Sequence, residues 1–249
     1  PYIILWKDTF RCIRDYIKFS LILKELKVDW KCLWQMVKIG VPAGIQSSMF
    51  SLSNVVVQSS INSFGNIVMA GNAAAQNVEA FLAMSVKALS QAATAFISQN
   101  VGAKKYNRIN KVVITLILCV LVVDGIAWNL IYLLGRPILS LYSDSAPVIE
   151  QGMIRIQIAC TIHIIYGMMD VMAGVLRGMG HSITPMIVSL VGVCALRVVW
   201  IATIFQIPEF HTIEMLYYAY PISWAITLGA HTLYFLIVRK KLKRKLMAE

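Results

Sequence analysis

Residues 112–135 read VVITLILCVLVVDGIAWNLIYLLG, with Asp124 as the single charged residue of the stretch. An α-helix rises about 1.5 Å per residue, so roughly 20 apolar residues cross the hydrocarbon core of a bilayer. Surface helices of soluble domains, by contrast, carry a polar face along their length. The stretch therefore predicts a membrane-spanning helix.

Five further stretches have a similar character, and the composition of the chain agrees with them. Hydrophobic residues make up 58% of the 249 residues and charged residues 14%, with a mean hydropathy of +0.69. One soluble core of this size holds less apolar side chain, so lipid must cover the excess. The predicted spans are 39–63, 67–97, 112–135, 152–175, 183–205 and 216–238. The sequence thus predicts an all-α membrane protein, a lobe of six transmembrane helices in contact with the lipid bilayer.

Positive charge gathers in one set of loops, which predicts the orientation of the chain. There are 23 Lys and Arg residues against 12 Asp and Glu, a net charge of +11. The basic residues cluster in 7–38, 104–111, Arg177 and 239–245, whereas the opposite loops hold Asp144, Glu150, Glu209 and Glu214 beside Arg136. Lys and Arg are retained on the cytoplasmic side, so both ends are predicted to be cytoplasmic, in a plasma membrane (bacterial inner membrane). Because the charge follows topology, no nucleic-acid partner is expected.

The motifs of common enzymes are absent from the sequence. None of GxxxxGK[ST], HExxH and GxSxG occurs. The cysteines, Cys12, Cys32, Cys119, Cys160 and Cys194, lack metal-type spacing. The chain begins at Pro1 without an initiator Met or a signal peptide, which indicates a cut from something longer. We therefore expect no enzyme, no metal and no cofactor, and a gradient of Na⁺ or H⁺ as the energy source of any transport.

Polar side chains form a stripe along each of the first two spans. The first stripe recurs every three or four residues, through Ser47, Ser51, Asn54, Gln58 and Asn62. The second comprises Asn72, Gln76, Glu79, Lys87, Ser90 and Thr94. Polar groups are costly in lipid, so two such faces predict a shared, water-accessible cavity with Ser51, Asn54, Gln58, Gln76 and Glu79 as binding residues. The alternative is hydrogen bonding between packed helices.

Isolated charged residues in the predicted spans are examined as further candidate ion- or substrate-binding residues. Arg155 lies near a predicted membrane face and is expected to snorkel to the headgroups without a function. Asp124 stands alone in its apolar stretch, as a structural or a functional acid. Glu79 lies two turns from Lys87 on the same helix face, so Lys87 could neutralise the Glu79 carboxylate.

Asp170 is ranked first among the candidate ion- or substrate-binding residues. It shares a face of the fourth span with His163, Gly167 and Gly174. The small residues permit close helix packing, which is one interpretation of this face. The other is a desolvated carboxylate that exchanges H⁺ or Na⁺ for a cationic substrate, with His163 in a secondary role.

Several motifs resemble the second lobe of the multidrug and toxic compound extrusion (MATE) family. The first three are KIGVPA at 38–43, SFG at 63–65 and SQNVGAKK at 98–105. The others follow in the same order, LSLYSD at 139–144, GVLRGMGH at 174–181 and YPISW at 220–224. The resemblance implies two six-helix lobes around a cleft, alternating access, and export of organic cations or other xenobiotics in exchange for Na⁺ or H⁺. It also implies an N-terminal six-helix lobe of the same protein as partner.

Two positions depart from one branch of that family. The branch places a Glu where this chain has Phe50, and an Asp one turn before Asp170 where this chain has Tyr166. The cation site of that branch is therefore not reproduced. Another branch couples through an Asp of the first lobe, which lies outside this sequence.

Two alternatives and a domain division complete the predictions. A flippase of lipid-linked oligosaccharides or lipids would favour a cationic cavity, which Lys87 and Arg197 permit and the acids oppose. A non-transporting membrane scaffold would use the polar stripes for packing. The chain is divided into the end of a preceding helix with a basic linker (1–38), the lobe (39–238) and a basic tail (239–249).

Overall fold

A computed structural model describes the backbone of residues 28–248, and their side chains except those of 159–161 and 243–248. The predicted linker up to residue 27, with Cys12, and the side chain of Cys160 lie outside this description. The chain divides into two units, Pro1–Val37 and Lys38–Glu249, and the second holds all the packing and the cavity considered below. The domain division made from sequence stays a prediction.

The described residues are helical almost throughout, with no strand among them. The helices are α1 (Trp30–Asn62), α2 (Asn66–Gly102), α3 (Ile109–Ser140), α4 (Ala146–Gly178), α5 (Ile183–Ser189), α6 (Leu196–Ala202) and α7 (Ile213–Ala248). A π-helical turn, Leu190–Ala195, joins α5 to α6. Turns of 3₁₀-helix occur at Tyr106–Arg108, Ile204–Gln206 and Pro208–Phe210.

The helices are long enough to make a multi-span membrane protein. Four segments have the length and composition of membrane spans, Asn66–Gly102, Tyr106–Ser140, Ile183–Gln206 and Ile213–Leu242. A fifth is α4, if its two parts, which meet at 55°, form one span. The predicted first span forms a helix, α1, but its many Ser, Asn and Gln residues make it more polar than the others. The all-α membrane fold is thus confirmed, with four or five spans identified in the described part instead of the predicted six.

Local chemistry sets where the helices begin and end. Gly65 between α1 and α2 has φ +95°, and Gly180 after α4 has φ +86°, a region that residues with a Cβ rarely adopt. Asp29 caps α1 by accepting hydrogen bonds from the backbone N–H groups of Lys31 and Cys32, at 2.8 and 3.2 Å. These bonds, that from Cys32 above all, hold the pKa of the Asp29 carboxyl below its usual value.

Helix α4 contacts α2, α3 and α7 and forms the centre of the second unit. Its small-residue face packs directly on α2, where a Cβ at Gly178 would lie 2.8 Å from the Cβ of Ile97. Ser90 donates a hydrogen bond to the backbone oxygen of Asp170 at 2.8 Å, and Thr94 to that of Gly174 at 3.0 Å. The close-packing interpretation of this face is therefore correct.

Candidate functional site

A cavity of about 490 Å³ opens between α1, α2, α4, α6, α7 and the π-helical turn within the second unit. Polar residues of α1 and α2 form one part of its wall, and aromatic rings form the other. The residues that line it are Phe50, Ser51, Asn54, Val55, Gln58, Gln76, Glu79, Ala80, Ala83, Arg155, His163, Tyr166, Val193, Arg197, Tyr220 and Trp224. Such a mixture of apolar surface and a few polar groups is typical of small-molecule sites.

Most of the residues singled out from the sequence meet at this cavity. Six of the eight line it, namely Ser51, Asn54, Gln58, Gln76, Glu79 and His163. Asp124 lies behind the wall, and Asp170 lies apart, beside α2. Asn54 is exposed in this chain, whereas Val57, three residues further along α1, is 1% exposed.

The expectation that Arg155 reaches the lipid headgroups and has no function is wrong. It is 6% exposed and lies in the wall of the cavity rather than at a membrane face. Its Nε donates to Glu79 Oε1 at 2.7 Å and its Nη2 to Glu79 Oε2 at 2.8 Å. A buried guanidinium needs such a partner, since an isolated charge loses its hydration. Glu79 is therefore neutralised by Arg155, not by Lys87, which is exposed and outside the cavity lining.

A chain of amides extends from this ion pair along α1. Asn72 accepts hydrogen bonds from Arg155 Nη1 at 2.6 Å and from the Tyr217 hydroxyl at 3.2 Å, and donates to Gln58 at 2.9 Å. Gln58 in turn donates to Asn62 at 2.8 Å. Each amide is thus oriented by its neighbours, which fixes the polar side of the cavity wall.

Arg197 is the second buried cation of the wall, at 4% exposed. Its Nε donates to Ser223 Oγ at 3.1 Å and its Nη1 to Asn54 Oδ1 at 3.4 Å. Its guanidinium carbon lies 4.1 Å from the centre of the Tyr220 ring, a cation–π contact. No described carboxylate forms an ion pair with it.

Asp124 has a partner that the sequence did not indicate. His163 Nδ1 on α4 lies 3.2 Å from Asp124 Oδ2 on α3, and both side chains are buried. Trp128 packs on the same imidazole at a centroid distance of 4.6 Å. His163 lines the cavity, so Asp124 lies directly behind the cavity wall.

The second polar stripe is divided between two roles. Gln76 and Glu79 face the cavity, whereas Ser90 and Thr94 form the α2–α4 hydrogen bonds described above. Asp170 lies at this α2–α4 contact, since its backbone oxygen accepts the hydrogen bond from Ser90. Arg177 Nη2, on the same helix, lies 4.0 Å from its carboxylate. His163 and Asp170 share a helix, but His163 contacts Asp124 instead.

Sequence reasoning missed the cationic and aromatic part of the wall. Arg155 was assigned no function, and Tyr220 and Trp224 served only as part of a motif. The available signal was the depth of Arg197 in the apolar span 183–205, because intramembrane arginines normally face a partner or a cavity. Arg155, near the start of its predicted span, gave no such signal. Phe50 and Tyr166, which replace acids of one branch of the resembled family, also line the cavity.

A family model and a curated relative match most of the chain. The MatE family model matches residues 42–203. The probable multidrug resistance protein YoeA of Bacillus subtilis is 24% identical over 222 residues, which cover 88% of this chain and 47% of that protein. This chain thus spans about half the length of that curated relative.

Solved structures agree at the level of the fold. An outward-facing multidrug resistance MATE family transporter of the MOP superfamily matches with a TM-score of 0.79 at 13% identity, over 92% of this chain and 51% of that one. A MOP superfamily transporter from Pyrococcus furiosus, described by a reverse polarity of its binding pocket, matches with a TM-score of 0.73 at 15% identity, over 82% and 45%.

Proposed function

Because the chain belongs to the MatE family, whose members are membrane transporters and not enzymes, we propose that it forms one half of a secondary antiporter. In this proposal the transporter exports amphipathic organic compounds by alternating access, in exchange for Na⁺ or H⁺. The chain covers about half of its relatives. A second six-helix lobe of the same protein would therefore supply the facing wall of the cleft.

The observation that carries the proposal is the amphipathic cavity. It combines the aromatic rings of Phe50, Tyr166, Tyr220 and Trp224 with oriented amides from α1 and α2. Aromatic faces hold planar compounds of varied structure, and a few amides orient them. This supports xenobiotics as substrates. The cavity gives weaker support to purely cationic substrates. The Glu79 carboxylate is already neutralised by Arg155, and the face of the Tyr220 ring is already occupied by the guanidinium of Arg197.

The coupling ion would be bound away from this substrate surface. Asp170 remains the proposed acid, with Asp124 beside His163 as the other candidate. Both acids lie outside the cavity lining, so an ion and a substrate need not compete for the same side chain. A carboxylate exchanging a proton or Na⁺ there would alter helix packing around α4.

A lipid or oligosaccharide flippase is a second candidate function, because Arg197 is a buried cation without a described counter-ion. A scaffold role is opposed by the cavity, since side chains that only join helices would not surround an open space.

Thiol accessibility tests the proposal against the scaffold. In the intact transporter, freed of its native cysteines, Asn54→Cys and Gln58→Cys are expected to react with a membrane-impermeant maleimide. Val57→Cys, at a position of α1 that is buried within the lobe, is the matched control and should stay unreactive. Substrate dye should slow labelling at Asn54→Cys. Equal protection of all three positions, together with no dye export from cells, would refute the transporter.

A further inference from the structure

We infer that Arg197 is an anion subsite, which binds the acidic group of an amphipathic substrate while the neighbouring rings bind its apolar body. The inference rests on the proposed transport function and specifies the substrate class. Its starting point is the charge balance of the cavity wall. Arg155 and Glu79 cancel each other through two hydrogen bonds, which leaves Arg197 as the remaining formal charge among the arginines and carboxylates of the lining.

The geometry of Arg197 suits an incoming carboxylate or phosphate oxygen. Ser223 and Asn54 accept from Nε and Nη1, so Nη2 is left without an acceptor among the described residues. The Tyr220 ring covers one face of the guanidinium, and a ligand oxygen would accept hydrogen bonds at the edge that carries the N–H groups. An edge-on guanidinium presents paired donors to a carboxylate or phosphate.

Rings close to the guanidinium would hold the rest of such a molecule. Trp224 lies 5.8 Å from the Arg197 guanidinium carbon, and Tyr166 lies 5.2 Å from Trp224, measured between ring centroids. Both rings line the cavity. A planar aromatic acid could therefore pair its carboxylate with Arg197 and stack its ring system on these side chains.

Burial explains why a ligand anion would be bound strongly. A cation that is 4% exposed has lost most of its hydration, and two neutral acceptors and one ring replace it only in part. An anion at Nη2 would restore the missing interaction in a site of low dielectric constant. A carboxylate of the other lobe would have the same effect, and the experiment below separates the two.

The test compares a xanthene dye that bears a free carboxylate with the methyl ester of the same dye, using the purified intact transporter. Wild type is expected to bind the carboxylate form at least about tenfold more tightly than the ester, as measured by fluorescence anisotropy. Arg197→Gln should abolish this preference. Lys87→Gln, which removes an exposed cation outside the cavity, should keep it.

A second pair of variants protects the test against misfolding of Arg197→Gln. Asn54→Asp places a carboxylate beside Nη1 and fills the subsite without removing the arginine, so the preference should also disappear. Ser47→Asp adds a carboxylate to an exposed position of α1 outside the cavity lining, so the preference should remain. Arg197-dependent binding of a short-chain phosphatidic acid alone, without that of the dye, would support the anion subsite but identify a lipid phosphate as its ligand.

The outcomes distinguish the subsite from the transport function. Equal affinity of wild type for acid and ester without Arg197-dependent binding of phosphatidic acid would overturn the subsite, even if both dyes are exported. A preference that survives both Arg197→Gln and Asn54→Asp would overturn it as well. Equal affinity of wild type for acid and ester is the result expected if a carboxylate of the other lobe already occupies Arg197. Arg197-dependent binding without export from proteoliposomes would instead refute the transport function and leave the subsite standing.

Discussion

Arg155 on α4 donates two hydrogen bonds to the carboxylate of Glu79 on α2. Its Nε lies 2.7 Å from Oε1, and its Nη2 lies 2.8 Å from Oε2. The pair joins the central helix of the lobe to the helix that carries the second polar stripe. Since the Arg155 side chain is 7% exposed and that of Glu79 20%, water screens the pair only weakly. Both the shape of the cavity and its charge balance therefore depend on this contact.

Glu79→Leu is expected to destabilise the purified transporter by about 3 kcal/mol, because it leaves the Arg155 guanidinium buried without its counter-ion. The double variant Glu79→Leu/Arg155→Met should be less destabilised than Glu79→Leu, since no unpaired charge remains. Thermal unfolding in detergent measures both. The exposed pair Arg136–Glu150, 2.6 Å apart, is the control, and its coupling should stay below about 1 kcal/mol. A double variant less stable than Glu79→Leu would contradict the argument.

Gly174→Ala is expected to separate α4 from α2 and to cost about 1 to 3 kcal/mol, because the added methyl group would meet the backbone oxygen and the hydroxyl of Ser90. Gly229→Ala on α7 is the matched control. Nothing lies within 4 Å of a Cβ at that position, so the change should be neutral or slightly stabilising. Equal unfolding temperatures for the two variants would show that the contact at Gly174 relaxes freely.

Asp170→Asn is expected to lower the export of a substrate dye at least several-fold in cells that make normal amounts of transporter, an estimate based on losing roughly 1 to 3 kcal/mol of interaction with a bound cation. The dependence of export on pH or Na⁺ should change as well. Glu150→Gln replaces an exposed acid by its amide and should leave both unchanged. If Asp170→Asn kept full export with an unaltered ion dependence, Asp170 would have a structural role beside Ser90 and Arg177.

Reporter fusions test the orientation predicted from loop charge. Fusions after Lys105 and after Met247 are expected to report cytoplasm, because basic loops are retained there. A fusion near Ser145, in the turn between α3 and α4, should report the outside. A cytoplasmic signal at Ser145 would mean that α3 does not cross the membrane and would overturn the topology.

The sequence by itself determined the class of the protein and the positions of its helices. Long apolar runs such as 112–135 indicate membrane spans. Each run forms a helix, because a helix makes all of its backbone hydrogen bonds within one segment and needs none from lipid. The three- and four-residue spacing of Ser51, Asn54 and Gln58 is also a local property, since a helix places such residues on one face whatever surrounds it. Hence the part of the polar wall that α1 supplies was predictable from the sequence.

Only the tertiary structure decided which charges meet. Glu79 and Arg155 are 76 residues apart, and Asp124 and His163 are 39 apart, each pair on two different helices. Whether such side chains touch depends on how far each helix is rotated and how closely its neighbour approaches, and this is set by small residues such as Gly174 and Gly178 on α4. The periodicity of residues within one helix determines neither the rotation of that helix nor its distance from a neighbour. The sequence therefore indicated that intramembrane charges need partners, and packing around α4 selected the partners.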